Sequence, residues 1–220
     1  MTILIESIGL RYKMASDEKY ELFEESLRLI QQGKMVDAEK VLKRLVEIDP
    51  DNATNWMSLG RCQLALQKLA DAEISARKAL ELNDKLAHNW NLVGCVLKSK
   101  SAFAEAESYF RKALELNPKD FTSWSGLSTI LIGLRKDSEA ENAAQKSIDL
   151  NPNFFEGWMA MGILHLRKGH AEESEKAFRK LTEVAPRMPE AWDFLGMALS
   201  AQGKHDDAAA VKVHARTLRV

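Results

Sequence analysis

An all-α fold, built as a solenoid of stacked helical hairpins, is predicted by three features of the chain that share one period. Tryptophan stands at Trp56, Trp90, Trp124, Trp158 and Trp192, each 34 residues after the last. Proline keeps the same spacing at Pro50, Pro118, Pro152 and Pro186. Small residues recur at Ser26, Gly60, Gly94, Ser128, Gly162 and Gly196, and a second small set follows twelve residues later at Ala38, Ala72, Ala106, Ala140, Ser174 and Ala208. A unit of this length holds two antiparallel helices and their turns, is too short to bury a core alone, and is stable only when stacked on its copies.

Aligned on tryptophan, the units are 53–86, 87–120, 121–154, 155–188 and 189–220, preceded by a degenerate unit at 19–52 with Leu22 in the tryptophan place. In each unit the first helix carries the tryptophan and the first small residue. The second helix crosses it at the second small residue, where short side chains let the two backbones approach. Gly33, Gly169 and Gly203 fall in the turn between paired helices and predict a left-handed cap there. Gln67, Ser101 and Arg135 hold that place in the other units, so the left-handed cap is expected in only half of them. The second helix ends before Asp49-Pro50 or Asn117-Pro118, because the residue preceding proline avoids the helical region. Local departures are Asp84 for the terminal proline, Ser128 for glycine, Ala76 and Ala144 for an aromatic, and Lys212 with Ala215 for an apolar pair.

The two ends are read separately. Residues 1–18 form an N-terminal segment whose first 14 residues include Ile3, Leu4, Ile5, Ile8, Leu10, Tyr12 and Met14. This segment has three readings: a cap on the first unit, an occupant of its own groove, or an occupant of a neighbour's. Glu6 interrupts the apolar stretch and no basic leader or small-residue cleavage site accompanies it, which argues against a secretory signal. At the other end, Ala208, Ala209, Ala210, Val211 and Val213 leave a modest apolar face moderated by Lys212, Arg216 and Arg219. That last helix serves as its own cap or as a surface for homo-oligomer formation.

Composition narrows the class. With 45% apolar and 29% charged residues and five prolines among 220, the chain is helix-rich and long enough for a continuous core, and one elongated domain is expected. The 31 basic and 32 acidic residues are spread evenly, without the one-sided basic face that nucleic acid requires. Apolar runs fall far short of the roughly 20 residues needed to span a bilayer, so membrane insertion is not expected. Cys62 and Cys95 lack a CxxC spacing and fit a reducing, cytoplasmic setting. The histidines His88, His165, His170, His205 and His214 fall in different phases of the repeat and assemble no catalytic constellation. His165 reads as an interior core residue with a hydrogen-bonded ring. Cys62, Cys95 and His88 lack ligand spacing and a fourth partner, so neither metal nor cofactor is expected.

The combined pattern resembles the tetratricopeptide repeat: tryptophan, an apolar residue three later, then glycine, alanine in the second helix, an aromatic four beyond, alanine again and a terminal proline. Unit 87–120 shows it at Trp90, Val93, Gly94, Ala106, Phe110, Ala113 and Pro118. The resemblance covers nearly the whole chain and implies a right-handed α-solenoid of about six repeats. It further implies a concave face, lined by the first helix of each repeat, where extended or helical peptides dock. By phase, that face holds Thr54, Met57, Arg61 and Leu64, then His88, Asn91, Cys95 and Lys98, then Thr122, Ser125 and Thr129. It continues with Glu156, Met159, Ile163, Leu166 and the adjacent Arg167, and ends with Glu190, Asp193 and Met197.

The co-chaperone branch of that family grips a C-terminal carboxylate with lysines, asparagines and an arginine. Here Met57, Arg61, Leu92, Thr122 and Gly126 stand in those places, which disfavours such a clamp. Charge is instead polarised, basic at Arg61 and Lys98 and acidic at Glu156, Glu190 and Asp193. The function expected is a non-catalytic adaptor that binds segments of partner proteins, with a self-assembling scaffold and a regulatory subunit of an enzyme complex as alternatives.

Overall fold

Helices of 13 or 14 residues are what the 34-residue period produces, and the computed structural model describes them over residues 18–219. Helix α1 covers 18–31, followed by α2 (Met35–Ile48), α3 (Ala53–Ala65), α4 (Leu69–Leu82) and α5 (Ala87–Ser99). Then come α6 (Phe103–Leu116), α7 (Phe121–Gly133), α8 (Asp137–Leu150), α9 (Phe155–Arg167), α10 (Ala171–Val184), α11 (Pro189–Ala201) and α12 (His205–Thr217). There is no strand among the described residues, and the predicted helical-repeat solenoid of six helix pairs is the fold. The readings of residues 1–14 lie outside the described residues.

Contacts divide the chain into two compact units, Met1–Ala102 and Phe103–Val220. In the first, α2 packs on α3, α3 on α4 and α4 on α5, and α3 also touches α5. In the second, each helix from α6 to α12 packs on the next, and α7 touches α9 as α9 touches α11. Odd-numbered helices therefore form one layer within each unit and even-numbered helices the other. Between the layers lie Leu42 and Leu45 in the first unit, and Phe110, Ile130, Leu131, Leu164, Phe178, Leu181, Leu195 and Leu199 in the second, all essentially fully buried.

The small-residue pairs mark the close crossings. Ser128 Oγ donates to the Ala140 carbonyl at 2.9 Å, and Ser174 Oγ donates to the Gly162 carbonyl at 2.9 Å. A Cβ on Gly162 would lie 2.3 Å from a ring carbon of Phe178, so the aromatic occupies the space that glycine leaves. Where Ala76 stands in place of that aromatic, the backbone itself comes in: a Cβ on Gly60 would lie 3.3 Å from the Ala76 nitrogen. At the last crossing the methylene stem of Lys212 covers Gly196, with Cγ 3.2 Å from the position of an added Cβ. A lysine can thus replace an apolar residue there and keep its charge outside.

The turns correct one expectation. Gln67, Ser101 and Arg135 have φ of 58°, 60° and 62°, alongside 72° to 78° at Gly33, Gly169 and Gly203. All six turns are left-handed, not half of them. The cause is hydrogen-bond closure: in each, the residue after the left-handed one donates its N–H five residues back, as Lys68 does to Gln63 (2.9 Å) and Lys136 to Leu131 (3.0 Å). These bonds satisfy carbonyls the helix end would otherwise leave open, which offsets the steric cost of a side chain at positive φ.

Within a repeat, the tryptophan is joined to the residue six earlier, usually the proline, by a hydrogen bond. The indole N–H of Trp56, Trp124, Trp158 and Trp192 donates to the carbonyl of the proline six residues earlier at 2.7 to 2.9 Å. Trp90 makes the same bond to Asp84, which loses nothing because the acceptor is backbone.

Candidate functional site

The 34-residue period puts equivalent side chains of the odd helices in rows. On α3 and α5 the exposed phase holds Thr54, Met57, Arg61 and Leu64, then His88, Asn91, Cys95 and Lys98. Thr54, Arg61 and His88 are exposed; Met57, Leu64, Asn91, Cys95 and Lys98 are half-buried. The Cys95 thiol lies 3.6 Å from Asn91 Oδ1, one helical turn away. In the second unit, Thr122, Thr129, Glu156, Met159, Ile163, Leu166 and Asp193 are half-buried, Glu190 is exposed, and Met197 is 49% exposed. Met159 and Ile163 lean on the core cluster around Phe178 and Leu195.

Several of the residues that phase assigns to this face are engaged otherwise: the Thr122 hydroxyl donates to Asp120 at 2.7 Å, the Thr129 hydroxyl donates to the Ser125 carbonyl at 3.0 Å, and Glu156 is engaged as well. Ser125 is buried. Arg167 turns to α8, pairing with Asp137 and donating from Nη1 to the Ile132 carbonyl at 2.9 Å. Asp193 pairs with Arg219 beyond α12. By contrast, the side chains of Arg61 and Lys98 have no ion-pair or hydrogen-bond partner among the described residues.

Carrying the phase back one period finds what sequence reasoning missed. Tyr20, Phe23, Leu27 and Ile30 precede Thr54, Met57, Arg61 and Leu64 by 34 residues and make the corresponding positions of α1 aromatic or aliphatic. Tyr20 is 71% and Leu27 38% exposed. Tyr20 and Phe23 line an open cavity of about 300 Å³ with Leu45, Thr54, Asn55 and the Lys19–Asp49 ion pair, whose N–O distance is 2.9 Å. The signal was obscured because Leu22, not tryptophan, marks the first repeat.

A second unread period runs through Glu39, Glu73, Glu107, Glu141 and Glu175. Each pairs with a lysine in the turn of the following hairpin: Lys68, Lys100, Lys136, Lys168 and Lys204. Four also pair with a base one helical turn on, at Lys43, Arg77, Arg111 and Arg179. These bonds hold all five carboxyls below the usual range, with the turn lysine the largest cause in each and burial opposing it. Glu175, which also accepts from Gln202, is lowered to about 2. The ladder joins successive hairpins, so its charges are committed to the fold.

The remaining candidates are plainly placed. His165 is half-buried rather than interior, and its buried Nδ1 has no hydrogen-bond partner among the described residues. Its ring faces His170 at 6.4 Å and, with Met161, borders a shallow depression against α8. Cys62 is buried with its thiol 3.1 Å from the Met35 carbonyl, and burial pushes that thiol up. Among the described residues, no group of three or more His, Cys, Asp or Glu is placed to hold a metal, and no helix is long and apolar enough to cross a membrane.

Comparison with known proteins places this arrangement. Residues 99–220 match the family described as Cilia and flagella-associated protein 70 middle TPR-like domain, and residues 29–92 match the family described as Tetratricopeptide repeat. Among solved structures, a tetratricopeptide repeat protein from Parabacteroides merdae is 24% identical with a TM-score of 0.68, covering 89% of this chain and 77% of its own. PilW, a widely conserved type IV pilus biogenesis factor, is 17% identical with a TM-score of 0.80 over 90% of this chain and 92% of its own. The Pseudomonas aeruginosa pilF product is 19% identical with a TM-score of 0.76 over 93% of each chain. No curated protein matches the chain. At these identities the likeness is one of fold.

Proposed function

Because the chain belongs to the tetratricopeptide repeat family, we propose that it is a non-catalytic adaptor that binds segments of partner proteins on the odd-helix face of its repeats. One contrast carries this reading. The tryptophans, the small-residue crossings and the glutamate ladder are consumed by stacking, whereas Tyr20, Arg61, Glu190 and Met197 are exposed and the Lys98 side chain has no ion-pair partner among the described residues. A stacked scaffold presents such side chains already ordered, which lowers the entropic cost of binding. Apolar side chains supply affinity, and methionine adapts to more than one partner shape. The partners proposed are proteins rather than nucleic acid, and the setting is a reducing, cytoplasmic one.

The test is affinity capture from native lysate with wild type, the face variant Arg61→Glu/Met197→Glu, and the control Ile74→Glu, which alters an exposed side chain of α4. All three are first shown to be folded by circular dichroism. Partners that disappear with the face variant and persist with the control support the adaptor. Partners retained by the face variant, or lost equally with the control, sink it.

A further inference from the structure

The two units differ in what their odd-helix faces offer a ligand. In the first unit, the four phase positions on α1, α3 and α5 contain no acid. They pair an apolar start, Tyr20, Phe23 and Leu27 with Met57, with the cations Arg61 and Lys98. These cations have no ion-pair partner among the described residues, in a chain where the glutamate ladder engages a lysine at every turn it reaches. In the second unit the same positions hold Glu156, Glu190 and Asp193 and no base.

We propose that the α1–α3–α5 face of the first unit binds an acidic peptide segment. The segment seats an apolar side chain in the cavity between Tyr20 and Phe23 and sets its carboxylates against Arg61 and Lys98. The inference deepens the adaptor reading and rests on it. Charge complementarity selects the occupant. Two cations with no partner among the described residues, on a face whose phase positions hold no acid and beside a cavity whose Asp49 is already paired with Lys19, favour a negative ligand, and the apolar start gives it a fixed end from which to run. The chain's own residues 1–14 suit the site poorly, since Arg11 and Lys13 outnumber Glu6.

The probe is a fluorescein-labelled synthetic 14-residue peptide of Asp and Glu around one Phe and two Leu, with a second peptide carrying Lys in place of every acid. Anisotropy titrations use the full chain. The acidic peptide is expected to bind, the lysine peptide to bind at least tenfold more weakly, and salt raised from 50 to 500 mM to weaken the acidic complex severalfold. Arg61→Glu/Lys98→Glu is expected to raise Kd at least tenfold, Leu27→Ser to raise it severalfold, and Met197→Glu in the second unit to leave it within twofold.

Equal binding of the two peptides, or indifference to charge reversal at Arg61 and Lys98, overturns the proposal. So does binding that appears only after residues 2–14 are deleted, which makes the chain's own segment the occupant. A dimer in light scattering that Leu27→Glu dissolves assigns the face to a second copy and overturns it as well. If the acidic peptide fails while lysate partners still depend on Arg61 and Met197, the polarity is wrong and the adaptor reading stands; if both fail, both are wrong.

Discussion

Single residues in this chain settle conflicts between local preference and closure of the hairpin. Arg135 sits at φ 62°, a region that costs a side-chain-bearing residue about 1–2 kcal/mol, yet it is held there because Lys136 must reach the Leu131 carbonyl. Glycine adopts that conformation without penalty. Arg135→Gly is therefore expected to raise stability by up to about 1 kcal/mol, and Gly169→Ala to lower it by about as much. Urea midpoints decide it: a loss on Arg135→Gly would show that the arginine side chain contributes more than its backbone costs. The tryptophans show the opposite case, where preference and closure agree. Their indole N–H needs an acceptor when half-buried, and the loop before each odd helix places a carbonyl within reach.

At the scale of helices, stacking is decided by volumes at the crossings. Gly162 and Phe178 form one such volume, and no gap remains between them. Gly162→Ala forces the ring aside and is expected to cost about 1–3 kcal/mol, the range for overpacked cores. Phe178→Leu in the same chain vacates part of that space, so the double variant should lose less than the sum of the singles. Strict additivity in thermal melts would show that the methyl and the ring do not compete. The pairing of Ser128 with Ala140 indicates why serine is tolerated where glycine is usual: its hydroxyl finds a carbonyl across the crossing and is not left unpaired.

Across the whole molecule, the glutamate ladder makes stability depend on pH. Glu39, Glu73, Glu107, Glu141 and Glu175 ionise more readily folded than unfolded. Their contribution is fully present above the unfolded value of 4.5 and is lost as pH falls through the folded values, down to about 2 for Glu175. Glu175→Gln is expected to cost on the order of 1–2 kcal/mol at pH 7, between the limits for exposed and fully buried pairs. The two proteins should converge as pH approaches 2. A gap between their denaturation midpoints that stays constant from pH 7 to pH 2 would mean that the carboxylate's charge plays no part. The nearly balanced totals of 31 bases and 32 acids conceal this arrangement, because balance says nothing about which charges meet.

The helical solenoid was legible in the sequence alone, because its information is local and repeated. Tryptophan, proline and the small residues act within one hairpin or against the next, so the helices from α3 to α12 start at the same places in successive 34-residue units. The same counting assigns rows of residues to the odd-helix face, and one further step back reaches Tyr20, Phe23 and Leu27. It could not tell which charged residues on that face are free. Arg167 and Asp193 share the general pattern of Arg61 and Lys98, yet the first two meet Asp137 and Arg219 from 30 and 26 residues away, and the last two meet nothing described. Nor could it show that Gln67, Ser101 and Arg135 take a glycine's conformation. Repetition specifies which positions face each other; only the packed structure decides which side chains are close enough to pair, because that depends on distances set by neighbouring helices and not on residue type.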